Sequence, residues 1–134
     1  MATSDGRSTN ANKEAGTQAE EYVAQQTGGT RTPNGTYDVE TGSGRVAEVK
    51  STQKRYDYDN RRGRFRLWKQ QHQALKDEDG VYYFLVEGME PARLKPDAID
   101  RIMREKGLSW TDSGPSHDKG QQLKLNWKYV IDPE

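Results

Sequence analysis

Apolar positions in this chain fall into short clusters, and their spacing changes along its length. Ala15, Ala19, Tyr22 and Val23 recur at helical spacing, which predicts a helix over about residues 13–26, stopped by Gly28-Gly29. Residues 30–36 form a polar connector. Two short strands follow, 36–40 and 45–51, joined by the turn Thr41-Gly42-Ser43-Gly44. Residues 52–64 read as a polar, basic loop bearing Tyr56 and Tyr58. Phe65, Trp68, His72 and Leu75 fall on one helical stripe, predicting a helix over 65–76. The most apolar run, 81–87, is rich in β-branched and aromatic residues and bounded by Gly80 and Gly88, so it reads as a buried central strand. Residues 91–94 add a short strand. Pro96 opens a helix over 97–106, with Ile99, Ile102 and Met103 inward and Gly107 as its cap. Residues 108–121 are a loop, and the clean alternation of 123–129 predicts a half-exposed strand.

This order of elements predicts an α/β domain: a small mixed sheet flanked by helices. At 134 residues one domain is expected, with residues 1–12 as a disordered tail and 13–134 as the single folded unit. Hydrophobic residues make up only 31%, so the core must come from those few clusters. The 21 basic and 21 acidic residues cancel, and only local clustering can argue for nucleic acid. With no cysteine, disulfides, thiolate metal sites and cysteine nucleophiles are excluded; two histidines leave little room for an all-histidine zinc site. The N-terminus is polar and no apolar run approaches the ~20 residues that span a bilayer. The expected location is therefore the cytoplasm, without membrane contact.

The chemistry concentrates in the predicted hairpin. Side chains alternate along a strand, so Glu48 and Lys50 share a face, and the neighbouring strand offers Asp38. Two carboxylates and the intervening backbone carbonyl of Val49 suit a hard cation such as Mg2+. Lys50 would stand beside a water nucleophile and stabilise charge on a phosphate. A basic cluster, Lys54, Arg55, Arg61, Arg62, Arg64, Arg66 and Lys69, follows directly and would contact DNA phosphates.

Asp38 and Glu48-Val49-Lys50 resemble the Asp…(Asp/Glu)-x-Lys signature of the restriction-endonuclease-like, or PD-(D/E)XK, nuclease superfamily. Gly16-Thr17-Gln18-Ala19-Glu20 resembles the Gly-x-x-x-Glu stretch that begins the archaeal Holliday-junction resolvases within it. The resemblance covers residues 13–105. It implies a restriction-endonuclease-like core and a Mg2+-dependent deoxyribonuclease, with Mn2+ as a substitute. Its substrate would be double-stranded DNA, branched if the resolvase likeness holds, and it would work as a homodimer. Glu20, Asp38, Glu48 and Lys50 would be catalytic, and Asp38, Glu48 and Val49 would hold the metal. Gln71 would be an auxiliary residue near the reacting phosphate. The chain departs from the pattern at Tyr37, where a proline is common, and in the stretch 31–36, where the resolvases carry a serine-bearing loop.

Other residues have plainer readings. His72 lies on an apolar stripe and is expected to be a hydrogen-bonded core residue. His117 belongs to a polar tip. Trp110 and Trp127 are expected to pack in the core rather than stack on bases. Two alternatives stand beside the nuclease: a non-catalytic DNA-binding module on the same fold, and a structural or interaction domain.

Overall fold

The computed structural model describes residues 4–32, 37–55, 60–112 and 120–131, of which 4–15 as backbone only. Its elements are α1 (Ser4–Thr27), β1 (Thr30–Arg31), β2 (Val39–Glu40), β3 (Val46–Thr52), β4 (Arg64–Trp68), α2 (Lys69–Asp77), β5 (Val81–Val86), β6 (Ala92–Leu94), α3 (Pro96–Lys106), β7 (Thr111–Asp112), β8 (Gln121–Asn126) and α4 (Trp127–Ile131). A five-stranded mixed sheet has the order β1-β2-β3-β5-β6, and a second sheet of three strands has the order β4-β8-β7. Helices flank them, so the expected α/β class holds.

The centre of the larger sheet is the parallel pair β3–β5, with Glu48 opposite Tyr82 and Lys50 opposite Phe84. Antiparallel β2 borders β3, and antiparallel β6 borders β5. A parallel pair needs a long crossover, and residues 53–80 supply it as β4 and α2. Each face of this sheet has its own core. On one, Ala19, Val23 and Ala24 of α1 pack on Val39, Ala47, Val49 and Val81. On the other, Tyr82, Phe84 and Val86 meet Phe65, Leu67, Leu75, Ile99, Met103, Leu123 and Leu125. Glu48 and Lys50 therefore lie on a covered face, not on the solvated face that a two-stranded hairpin would offer.

Several boundaries differ from expectation. Residues 65–68 are strand, not helix. The segment Arg64–Trp68 also alternates, and pairing of Phe65 with Leu125 and Leu67 with Leu123 satisfies that alternation across the ladder. Arg64, expected at the end of the loop, and Arg66, expected on the helix, thus sit on a strand, while Lys69 is helical as expected and begins α2. The backbone is helical from Ser4, through positions 4–12 assigned to a tail; extending a nucleated helix adds one hydrogen bond per residue fixed. Residues 1–3 lie outside the described residues. Thr30–Arg31 pairs with β2 inside the expected connector, and Thr111–Asp112 pairs with β8 inside the expected loop. The last strand stops at Asn126, whose side chain accepts the Lys128 amide at 3.0 Å and turns the chain into α4. The Gly107 cap is as expected, with φ 67° and its amide on the Met103 carbonyl.

Candidate active site

Asp38 is fixed through its backbone before its side chain acts. Its amide donates to the Ala47 carbonyl at 3.1 Å, and its carbonyl accepts the Thr32 amide at 2.9 Å. β2 is only two residues long. Where its backbone stops serving β3, the Asp38 carboxylate takes over: Oδ2 accepts the Val49 amide at 2.8 Å. In an extended strand the N–H and C=O of one residue point to the same side. The Val49 carbonyl therefore points toward the side occupied by Asp38, away from β5.

Glu48 is 1% exposed. Its Oε2 lies 3.5 Å from Lys50 Nζ, an ion pair two residues apart along β3. Its Oε1 is buried and, among the described residues, has no hydrogen-bond partner. Burial pushes the Glu48 carboxyl up to about 7, against the opposing pull of Lys50 and with added push from Asp38 and Glu20.

Glu20 approaches from α1. Arg31 on β1 donates to its Oε1 through Nε at 3.1 Å and Nη2 at 3.0 Å. Burial and then Asp38 raise the Glu20 carboxyl, while Arg31 draws it back. The charges of Glu20, Asp38, Glu48 and Lys50 thus act on one another across α1, β2 and β3. Arg31 was not a sequence candidate. It sits on a two-residue strand without periodicity, and nothing local links it to Glu20.

Among the described residues, no three His, Cys, Asp or Glu side chains converge as a ready-made cation cage. Mg2+ does not require one, since it keeps several waters and is held by one or two carboxylates. The Asp38 and Glu48 carboxylates, the idle Glu48 Oε1 and the Val49 carbonyl are hard oxygen donors of that kind. The set fits a hydrated hard cation.

The remaining candidates divide. Lys54, Arg55, Arg61, Arg66 and Lys69 are exposed, and Arg62 and Arg64 are half-buried. Gln71 is half-buried in the first half of α2, its Oε1 buried without a partner among the described residues. His72 is a core residue as expected: its Nδ1 meets Tyr82 Oη at 2.8 Å and its Nε2 meets Asp100 Oδ1 at 2.9 Å. Lys76 Nζ donates to the other oxygen of Asp100 at 2.7 Å. Trp110 lies against the His72 ring with centroids 5.3 Å apart. Trp127 packs against the same core and donates its Nε1 to the Lys54 carbonyl at 2.8 Å. Tyr37, in the proline position, donates its hydroxyl to the Ala74 carbonyl at 3.2 Å. Tyr56, Tyr58 and His117 lie outside the described residues.

A family model described as PD-(D/E)XK nuclease superfamily domain matches residues 5–132. No curated protein matches the chain.

Proposed function

The chain belongs to the PD-(D/E)XK nuclease superfamily, and from that premise we propose that it is a Mg2+-dependent endonuclease acting on double-stranded DNA. The observation that carries this reading is Glu48: a buried carboxylate with one idle oxygen, beside Lys50 and coupled to Asp38. Burying an ionisable group without full partners is costly, and a hard cation meets that cost while using the same oxygen.

In this reading Asp38, Glu48 and the Val49 carbonyl hold Mg2+, with Mn2+ as a substitute. When bound, the cation supplies positive charge to the phosphoryl oxygens and makes a nearby water more acidic. Lys50, held by Glu48, places a fixed positive charge where negative charge develops on the phosphate and orients the attacking water. Asp38 keeps β3 in register while presenting its other oxygen. Glu20, steered by Arg31, completes the acidic wall from α1. The sequence likeness around Glu20 supports a preference for branched DNA, and two symmetric cuts would be made by a homodimer.

The test is direct. Four-way junction, nicked and linear DNA are each incubated with the protein in Mg2+, Mn2+ or EDTA. The expected result is cutting with either metal and none in EDTA. Glu48→Ala and Lys50→Ala should abolish cutting while salt-sensitive binding persists. Intact binding with no cutting of any substrate in either metal would refute the proposal.

A further inference from the structure

The second sheet has a face that the site does not use. In the β4–β8 ladder, Phe65, Leu67, Leu123 and Leu125 point into the core. Alternation puts Arg64, Arg66 and Trp68 opposite Asn126, Lys124 and Gln122 on the other side of the ladder; Trp68 is buried and Arg64, Asn126 and Gln122 are half-buried, so Arg66 and Lys124 are the exposed pair. Thr111 of β7 extends the same face beside Gln122. None of these seven residues is acidic.

Arg66 and Lys124 are directly opposed and both exposed. Like charges opposite each other destabilise an antiparallel ladder. The protein does not neutralise them internally: among the described residues, neither Arg66 nor Lys124 forms an ion pair with a carboxylate. The Arg66 guanidinium lies 5.7 Å over the Trp68 ring, a cation–π contact along the same strand. Lys69 stands at the end of the strand, its Nζ on Gln121 Oε1 at 3.3 Å. The chain is neutral overall, so a face without carboxylates is a local concentration of charge that an external anion would relieve.

The segment leading into β4 is tied by backbone to the one that follows β3. Residues 54 and 55 continue from β3, the strand of Lys50. Arg55 pairs with Arg62 in an antiparallel bridge, and the Gly63 amide donates to the Lys54 carbonyl at 3.0 Å. Trp127, which opens α4 directly after β8, donates its Nε1 to that same carbonyl. Lys54, Arg55 and Arg62 therefore lie along the chain between Lys50 and Arg66, on hydrogen-bonded backbone.

We propose that the outward face of β4 and β8, centred on Arg66 and Lys124, is a track that holds the phosphate backbone of the nucleic-acid substrate. This inference rests on the nuclease reading and adds Lys124, which lies far from the basic segment in sequence. The occupant is a polyphosphate backbone rather than a single phosphate, because the cations extend along two strands.

The test measures binding of a duplex oligonucleotide in EDTA, so that nothing is cut, across a series of KCl concentrations. Arg66→Gln, Lys124→Gln and the double variant are compared with wild type and with Arg104→Gln on α3. Removing one cation that neutralises a phosphate should reduce the slope of log K against log salt by about 0.9, and the double variant should reduce it by about twice that. Arg104→Gln should match wild type. Thermal midpoints of the Gln variants should equal or exceed wild type, since a like-charge pair is removed; this separates weakened phosphate binding from unfolding. An unchanged salt slope in a folded double variant overturns the track and leaves the nuclease reading intact if wild type still cuts. A wild-type protein that neither binds nor cuts DNA overturns both.

Discussion

Asp38 Oδ2 accepts the Val49 amide at 2.8 Å, so one carboxylate both closes the β2–β3 ladder and faces the site. Charge and hydrogen bond can be separated by substitution. Asp38→Asn retains an acceptor oxygen and should stay within about 1 kcal/mol of wild-type stability, whereas Asp38→Ala strands the amide and should cost about 1–3 kcal/mol. Both should lose cutting. Denaturant titration alongside a cleavage assay checks the pair; equal stability of the two variants would show that the carboxylate does not hold the ladder.

Glu48 makes metal-free stability depend on pH. Its folded carboxyl is raised from 4.5 to about 7, so the stabilising contribution is complete below about 4.5 and is lost as pH rises through about 7. The loss is at most about 3 kcal/mol. Glu48→Gln, measured in EDTA, should flatten this part of the profile and be the more stable protein at pH 8. A profile identical to wild type would contradict the buried, unsatisfied carboxylate.

His72 works in the opposite direction. Burial lowers its pKa below 6.5, only partly offset by the Asp100 bond. Its contribution is therefore present above about 6.5 and falls away as pH drops through the folded value. His72→Ala leaves Tyr82 Oη and Asp100 Oδ1 without this partner and opens a cavity, at a cost of about 2–5 kcal/mol. Thermal unfolding at pH 5 and pH 7.5 should show a smaller difference between the two pH values in the variant than in wild type.

Gly63 lies where two backbone segments touch. A Cβ there would sit 1.9 Å from the Gln53 carbonyl oxygen and 2.6 Å from Thr52 Oγ1. Gly63→Ala should cost about 1–3 kcal/mol and weaken DNA binding, because the segment bearing Lys54, Arg55 and Arg62 must shift. Unaltered affinity and melting temperature would show that the backbone yields freely at this point.

Asp38, Glu48 and Lys50 were legible because a strand imposes period 2 and the turn at 41–44 fixes which strand follows. β5 and α3 were legible for similar reasons: an apolar run between glycines, and Pro96 with Gly107 framing a helical stripe. Residues 65–68 were not, since Phe65 and Trp68 satisfy a helical spacing while Phe65 and Leu67 satisfy a strand's. Pairing with Leu123 and Leu125 decides it, and that partner lies far along the chain. The Arg31–Glu20 bonds and the Arg66–Lys124 opposition were hidden for the same reason. Each depends on tertiary register, which no local window contains.

The parallel ladder between β3 and β5 also fixes an order of events during synthesis. Glu48 gains its dry surroundings only when Tyr82 lies beside it, and that requires the crossover 53–80 to be complete. Non-local parallel pairing is slow because the loop must close before the pairing rewards it. A ribosome-bound chain that has not yet released β5 therefore carries Asp38, Glu48 and Lys50 as ordinary hydrated side chains. Hydrolytic competence arrives late, with the finished domain.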